Sequence, residues 1–340
     1  GIQCPDMARN HNSSKTHSLA TSQAATPDLE SGSNREQEID QQGTGDRHLA
    51  FSNIASGPLL QSMPVPMWYQ TWIIMQRNWK NWLRNPNMLM SELLQYIFIA
   101  VFVGAMYCKS FTSDIPDGVS NRVACIWFCL AVLTFTPSYT AVTAWDKERL
   151  LLRRELSQRQ FGVTVWYVAR TLMLVPFQGV QVLLFVSVMY FFAGFQRDFA
   201  KFATFFFALW MFQLISEGVG LLCAIGTRTA TYAIITLTFV LLILLSFTGF
   251  LVTKIPVYFK WITHISFLTY AYFGMVANEF EGLTLYDANG AAVQGLDLLP
   301  SSQQNSLSVW GNVGIVCAIV VIMEGLKLGA LQAAYRFRRM

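Results

Sequence analysis

Residues 145–162, WDKERLLLRRELSQRQFG, place eight charged side chains in eighteen positions between two long apolar runs. The chain of 340 residues is otherwise 53% hydrophobic and only 13% charged. It holds 26 Phe and 10 Trp against 20 acidic residues, so one soluble core could not hide its apolar surface. The composition therefore predicts a membrane protein, in which this charged stretch joins two spans.

Six apolar runs are each about long enough to cross a hydrocarbon core of roughly 30 Å, which takes about 20 helical residues. They lie near 89–108, 123–145, 166–194, 202–226, 230–253 and 311–335. Pro137 and Pro176 fall inside the second and third runs and are expected to kink them. The predicted fold class is an all-α membrane protein with six transmembrane helices and an outer loop at 254–308.

The distribution of Lys and Arg orients these spans. If the amino terminus is cytoplasmic, twelve cations flank the inner ends of the runs and six flank the outer ends. The inner set is Arg77, Lys80, Arg84, Lys147, Arg149, Arg153, Arg154, Arg159, Arg228, Arg336, Arg338 and Arg339, and the outer set is Lys109, Arg122, Arg197, Lys201, Lys254 and Lys260. Because inner flanks carry the excess of Lys and Arg, both termini are expected in the cytoplasm.

This placement of charge also predicts partners. The net charge of +4 comes from residues that flank the runs and not from a basic polar domain. Anionic membrane lipids favour such flanks, so lipids are an expected partner and nucleic acid is not. The predicted location is a multi-pass position in the plasma membrane or in an organelle membrane.

An amphipathic helix is predicted before the first run, in MWYQTWIIMQRNWKNWLRNP, over about 67–85. Apolar side chains recur at helical spacing and cations fall on the opposite side. The apolar side is Trp68, Trp72, Met75, Trp79 and Trp82, and the cations are Arg77, Lys80 and Arg84. Trp belongs at the headgroup level, with the cations toward lipid phosphates or water, and Pro86 should end the helix. The alternative is a soluble amphipathic helix on a core, which the many Trp residues disfavour.

The polar amino-terminal segment and the cysteines exclude other classes. Residues 1–62 are rich in Ser, Asn, Gln, Thr and Gly, which predicts a disordered cytoplasmic linker without a signal peptide. None of the six cysteines lies in the polar segment 254–308, so no disulfide framework is expected. Cys125 and Cys129 share a helical face and are interpreted as a buried apolar pair, not as metal ligands.

Two interpretations of the charged stretch compete. Residues 150–152 are all Leu and precede Arg153 and Arg154, a pattern that suits a short helix lying at the membrane surface. Its charges would then turn toward a soluble partner. The alternative is an anchor that only fixes topology. An anchor does not need Glu148 and Glu155, because acidic residues contribute little to topology, so the docking interpretation is favoured.

Charged and small residues also occur inside the runs. Glu217 lies in the middle of QLISEGVGLL, where an isolated carboxylate is costly enough that it should face protein or water. A structural role and a transport role are both open for it. Glu324 and Lys327 are three positions apart and are expected to pair on one helix face. Gly325 and Gly329 form a G-x-x-x-G helix-packing pattern, which is also common by chance.

From about residue 67 to 340, the order and spacing of several motifs resemble the transmembrane domain of the G subfamily of ABC transporters. These half-transporters include the white pigment, sterol and multidrug exporters. RNWKNWLRNP resembles the connecting helix, and KERLLLRRELSQRQFG followed by WYVARTLMLVP resembles the coupling helix and the third span. SFTGFLVTKIPVYFKWITHISFLTYAYFGMVANEF resembles the fifth span and its re-entrant loop.

The resemblance implies a type II ABC exporter domain that translocates lipids, sterols or xenobiotics as a homo- or heterodimer. Phe135 and Phe247 would line a substrate cavity between the second and fifth spans, and Phe250 and Leu251 would close it as a valve. Glu217 and Glu324 would be the intramembrane charges. Four residues would couple to a nucleotide-binding domain: Glu148, Arg149, Arg154 and Glu155.

The chain contains no G-x-x-x-x-G-K-[ST] phosphate cradle. No catalytic residue, metal or cofactor is therefore expected in these residues. ATP and Mg²⁺ are expected on a nucleotide-binding domain that is either fused upstream of Gly1 or supplied by a separate subunit.

A six-span secondary transporter or channel subunit, not driven by ATP, is the alternative function. Its coupling ion would call for several intramembrane carboxylates or for broken helices in repeated halves. The chain shows no internal repeat and offers only Glu217 and Glu324. A scaffold or membrane enzyme is disfavoured because no Ser-His-Asp, metal-ligand or cofactor cluster is evident.

Overall fold

The computed structural model describes residues 66–108, 117–158, 161–252, 256–286, 292–299 and 307–337, so the predicted linker at 1–62 lies outside the described residues. Helix α1 (Met67–Arg84) ends two residues before Pro86, as predicted. The long apolar helices are α2 (Pro86–Tyr107), α3 (Asp117–Ser157), α4 (Val163–Ala193), α5 (Phe199–Gly226), α6 (Ala230–Ser246) and α9 (Val309–Phe337). Between α6 and α9 lie α7 (Lys260–Ile265), α8 (Phe267–Phe280), β1 (Thr284–Tyr286) and β2 (Ala292–Gln294).

Each of the six predicted runs overlaps one of these helices over most of its length, which confirms the all-α membrane fold. Five helices, α2 to α5 and α9, are long and apolar enough to cross a bilayer. Helix α6 has 17 residues, or about 25 Å of rise, and is slightly short of a full crossing. The predicted fifth run reached 253, but the helix ends at Ser246, before a turn that contains Gly249 at a φ of 94°.

The charged stretch does not form the separate surface helix that the sequence suggests. Helix α3 continues unbroken through it for 41 residues, or about 60 Å. The physical reason is composition, because residues 146–156 contain no Gly or Pro and consist mostly of Leu, Arg, Lys and Glu, which favour helix. Leu152 and Leu156 are buried while Leu150 and Leu151 are exposed. The second span and the charged stretch are therefore one continuous helix, which also contains Pro137.

Helix α5 lies at the centre of the fold and packs closely on two sides. A Cβ atom on Gly220 would lie 2.3 Å from the carbonyl oxygen of Ser138 on α3. The Ser138 hydroxyl donates to the carbonyl of Ser216 at 2.6 Å, which holds the same crossing. On the other side, a Cβ on Gly218 would lie 3.2 Å from the Met323 side chain on α9. Small residues here let α3 and α9 approach the α5 backbone.

The G-x-x-x-G pattern of α9 does not pack in the same way. A Cβ on Gly325 or Gly329 would meet no described atom within 4 Å. On α5, by contrast, Gly218 and Gly220 do pack closely against other helices, and their spacing of two positions does not match the pattern.

The predicted outer loop at 254–308 contains more structure than a loop. Helix α7 breaks at Ser266, and α8 follows with Leu268, Tyr272 and Phe280 fully buried. Strands β1 and β2 then pair antiparallel, with Leu285 opposite Val293. Helix α8 packs against α5 and α9, so part of this segment belongs to the core of the domain.

Replacement of Gly220 by Ala is expected to lower the unfolding free energy by about 1–3 kcal/mol, because the added methyl overlaps the Ser138 backbone. The matched control is Gly325→Ala, which meets open space and should leave stability unchanged or raise it by up to about 1 kcal/mol. Unfolding by SDS titration measures both. Equal midpoints for the two variants would contradict the close α3–α5 packing.

Candidate functional site

The α1 helix packs on α4 through a face that the amphipathic pattern does not reveal. Ile74 is buried against Val165 and Ala169, while Trp68, Trp72 and Trp79 are exposed, as expected for residues at a lipid headgroup level. The two faces lie side by side on α1. Trp68, Trp72 and Trp79 therefore point away from the protein, toward the predicted lipid headgroups, while the neighbouring stripe with Ile74 packs on α4.

Arg77 belongs to the protein-facing stripe, which corrects the expectation that it faces lipid phosphates. It lies three positions after Ile74, or about 60° from it around the helix. Its two terminal nitrogens bind the Glu155 carboxylate of α3 at 2.7 Å and 3.1 Å. This two-point geometry fixes orientation as well as distance. Lys80 and Arg84 remain exposed, as predicted.

Five charged side chains form a continuous series across four helices, named here the charge chain: Glu148, Arg170, Glu217, Lys327 and Glu324. Arg170 on α4 binds Glu148 on α3 at 2.9 Å and Glu217 on α5 at 3.1 Å. Lys327 on α9 binds Glu217 at 3.1 Å and Glu324 at 2.5 Å. The pair predicted between Glu324 and Lys327 is therefore present.

The charge chain alternates in sign, which is what allows it to be buried. The side chains of Glu217 and Lys327 are only 4% and 2% exposed. Ions in such a place must be paired, because the loss of hydration is otherwise larger than any single attraction. Glu217 meets this requirement with one cation on each side. The Tyr167 hydroxyl donates to Glu324 at 2.5 Å and extends the series by one more hydrogen bond.

The four predicted coupling residues have different surroundings. Glu148 and Glu155 form ion pairs inside the domain, with Arg170 and Arg77. Arg149 binds Asp146 at 3.0 Å and donates to the carbonyl of Arg228 at 2.5 Å. Arg154 is exposed and forms no ion pair with a described residue. Of the four, Arg154 is therefore the side chain that is open to an outside partner.

The predicted cavity and valve residues do not share one environment. Phe135 is half-buried and stacks on Tyr139 with ring centres 6.0 Å apart. Phe247 lies 5.3 Å from the ring of Phe259. Phe250 lies 5.1 Å from the Trp127 ring of the same chain, whereas Leu251 is exposed. The valve and cavity roles stay predictions.

Sequence reasoning did not single out Arg170, although it lies within the quoted WYVARTLMLVP. The signal that could have found it is charge complementarity, because an Arg inside an apolar run needs a buried acid on a neighbouring helix. The same rule would have found Arg122, which binds Glu279 at 2.5 Å in a second buried pair. The charge distribution counts Arg122 only as an outer flanking cation, and no local pattern singles out Arg170.

A model of the ABC-2 type transporter family matches residues 69–280, from α1 to the end of α8. The chain is 27% identical to "ABC transporter G family member STR2" of Medicago truncatula, over 68% of this chain and 32% of that protein. It is 25% identical to "Protein white" of Ceratitis capitata, over 61% of this chain and 30% of that protein. It is 24% identical to "Broad substrate specificity ATP-binding cassette transporter ABCG2" of Sus scrofa, over 74% of this chain and 40% of that protein. The chain thus spans about a third of the length of these curated relatives.

Replacement of Lys327 by Met is expected to destabilise the domain by about 3–5 kcal/mol, because it leaves Glu217 and Glu324 with less compensation in a buried place. The control is Asp146→Asn, which breaks a pair whose carboxylate side chain is 45% exposed and should cost about 0–1 kcal/mol. SDS-titration midpoints of the two variants provide the comparison. If both variants matched the wild type, the charge chain would not contribute to stability.

Proposed function

Since the chain belongs to the ABC-2 type transporter family, as the transmembrane domain of a G-subfamily ABC transporter, we propose that it translocates hydrophobic or amphipathic compounds out of the cell or across an organelle membrane. The energy would come from a nucleotide-binding domain. The described residues and the full sequence offer no phosphate cradle, so ATP and Mg²⁺ would be held by that domain. The family match disfavours a secondary transporter or channel.

One observation carries this proposal: the two-point ion pair between Arg77 and Glu155. A nucleotide-binding domain moves outside the bilayer, so the spans can respond only through a rigid element that reaches both places. Helix α3 is such an element, because it begins as the second span and ends in the charged stretch. The ion pair fastens its end to α1, and the exposed Arg154 beside it is available for the outside contact.

The charge chain supports the same direction of coupling. Glu148 lies on α3 seven residues before Glu155, on the side of the membrane span, and binds Arg170 of α4. From Arg170 the contacts continue to α5 and α9 through Glu217 and Lys327. A displacement of the α3 end would therefore strain the ion pairs that link α4, α5 and α9. Breaking any of these buried pairs is costly, because it leaves an unpaired charge in the protein interior. This gives Glu148 and Glu217 a coupling role as well as a structural one.

A second half-transporter, identical or different, is the other partner in this proposal. Helix α6 exposes a stripe of large apolar residues: Tyr232, Ile235, Phe239 and Leu242. Their spacing places them on one helix face. A two-fold dimer would cover this stripe and enclose a path that one chain alone does not form. Phe135 on α3 would then face that path, which suits flat apolar substrates.

The charge asymmetry supports an orientation with both termini and the end of α3 in the cytoplasm. Single cysteines at Ser157 and Glu281, which are both exposed, are placed on opposite sides by this topology. In a variant whose Cys4 and exposed Cys108 are replaced by Ser, a membrane-impermeant maleimide added from outside should label position 281 and not position 157. Outside labelling of position 157 would reverse the proposed orientation.

Replacement of Glu155 by Lys is expected to uncouple ATP hydrolysis from transport while the protein still inserts. The change places two cations side by side at the α1–α3 contact, and the loss of one partner of a partly buried charge pair costs about 2–5 kcal/mol. Paired ATPase and transport assays on reconstituted full-length protein measure the effect. Full transport with substrate-stimulated ATPase would reduce this stretch to a topological anchor.

The reverse pair is the control for this coupling test. Arg77→Glu combined with Glu155→Lys restores opposite charges at the same place, so the double variant should recover much of the lost coupling. Arg154→Ala removes an exposed neighbour without touching the pair. It should weaken coupling only if the outside contact exists. Failure of the double variant to recover would assign the effect of Glu155→Lys to something other than the ion pair.

A further inference from the structure

A cavity of about 300 Å³ lies between α1, α2, α3 and α4 and reaches Glu217 on α5, so three members of the charge chain line it. This volume is at the lower end for small-molecule sites. Among the described residues, none of α6 lines it, so it differs from the path proposed between the second and fifth spans. It is formed by one chain alone and is open on one side.

The α1 wall of this cavity is polar, although α1 lies at a membrane surface. Asn78, Asn81 and Asn85 all line it. Asn78 and Asn81 are three positions apart on one face of α1, and Asn85 follows directly after the last residue of that helix. These carboxamides turn toward the cavity, and they would be costly to bury against an apolar core without hydrogen-bond partners. Such a stripe fits a cavity with polar contents.

The opposite wall contains a buried acceptor without a donor. Gln178 on α4 is only 3% exposed, and its side-chain carbonyl oxygen has no hydrogen-bond partner. One turn further on, Gln181 donates to the Glu92 carboxylate of α2 at 3.3 Å. Buried carbonyl groups are normally paired, so the contents of the cavity should provide a donor for Gln178.

The charges of the wall are not balanced. Arg77 is matched by Glu155, and Arg170 is matched by Glu148 and Glu217. Glu92 forms no ion pair with any described Lys or Arg, and its only hydrogen bond there comes from a neutral amide. The Glu92 carboxylate without a cation and the Gln178 carbonyl oxygen without a donor are both hydrogen-bond acceptors. A positively charged donor would satisfy both.

Aromatic side chains complete the site. Trp82, Trp166 and Phe177 line the same cavity, and the rings of Trp82 and Phe177 meet edge to face at 4.6 Å. Aromatic faces attract organic cations and also cover apolar groups. The exposed Asn81 and Gln95 mark the open side, next to the helix whose Trp residues lie at the headgroup level.

We propose that this cavity binds an amphiphile with one ammonium group on a compact apolar body. The ammonium donates to the Glu92 carboxylate and to the Gln178 carbonyl oxygen. The apolar body lies against Trp82 and Trp166. The ligand is either the headgroup of an aminophospholipid or a free amphiphilic amine, because both present the same ammonium. The site requires no ATP and therefore goes beyond the function proposed above.

The test uses full-length protein in nanodiscs of phosphatidylcholine, which has no primary amine, and radiolabelled 4-phenylbutylamine as the probe. Wild type should bind the probe saturably, and 4-phenylbutanol, of nearly the same size but uncharged, should compete at least tenfold more weakly. Glu92→Gln should weaken binding at least tenfold, and Gln178→Leu several-fold. Glu281→Gln, an exposed carboxylate outside the cavity, is the matched control and should bind like wild type.

Three results would overturn the proposal: no saturable binding, as for a cavity that holds only water; equal binding by Glu92→Gln; or equal competition by the alcohol. Glu92→Gln is nearly isosteric, and an unchanged SDS-titration midpoint shows that it folds. Replacing half of the lipid by phosphatidylethanolamine distinguishes the sources. Lower probe binding supports a lipid headgroup, and unchanged binding supports a free amine. Because the assay contains no ATP, its failure leaves the coupling test unaffected.

Discussion

The pairing of Glu217 with Arg170 and Lys327 is the interaction on which the rest of the domain depends. A carboxylate at this depth is tolerated only if cations reach it from neighbouring helices. Gly218 and Gly220 provide the room for this, because they let α9 and α3 approach α5 on either side of Glu217. The sequence EGVG therefore specifies a charge and the close packing that neutralises it. The hydrophobic effect does not drive apolar helices together in lipid, so close packing and buried ion pairs have to hold them together instead.

The second consequence is mechanical. Helix α3 has no Gly or Pro between its membrane part and its charged end, so the two parts cannot move independently. Its end is fastened to α1 by the Arg77–Glu155 pair and to α4 by Glu148. Interfaces of this kind have a few discrete arrangements and resist continuous deformation. Under the proposed coupling, a push at the charged end would therefore reach the spans as a rearrangement of ion pairs.

The sequence predicted what depends on local pattern and missed what depends on distant partners. Hydrophobic runs located all six long helices, the α1 boundary followed from Pro86, and the i,i+3 spacing predicted the Glu324–Lys327 pair. The partners of Glu148 and Glu155 lie on other helices, so no local pattern could show that both acids are used inside the domain. The G-x-x-x-G pattern failed for a similar reason, because pattern alone does not say which glycine face meets another helix.

Charge also links the polar cavity to the charge chain. Together they contain three cations, Arg77, Arg170 and Lys327, and four carboxylates, Glu92, Glu148, Glu217 and Glu324; Glu155, the partner of Arg77, adds a fifth carboxylate beside them. Glu148, Arg170 and Glu217 line the cavity and also belong to the chain. A cation in the cavity would reduce this excess of negative charge and favour the arrangement in which the carboxylates lie close together. By thermodynamic reciprocity, any rearrangement of the ion pairs that accompanies coupling would then change the affinity for the cation by the same factor.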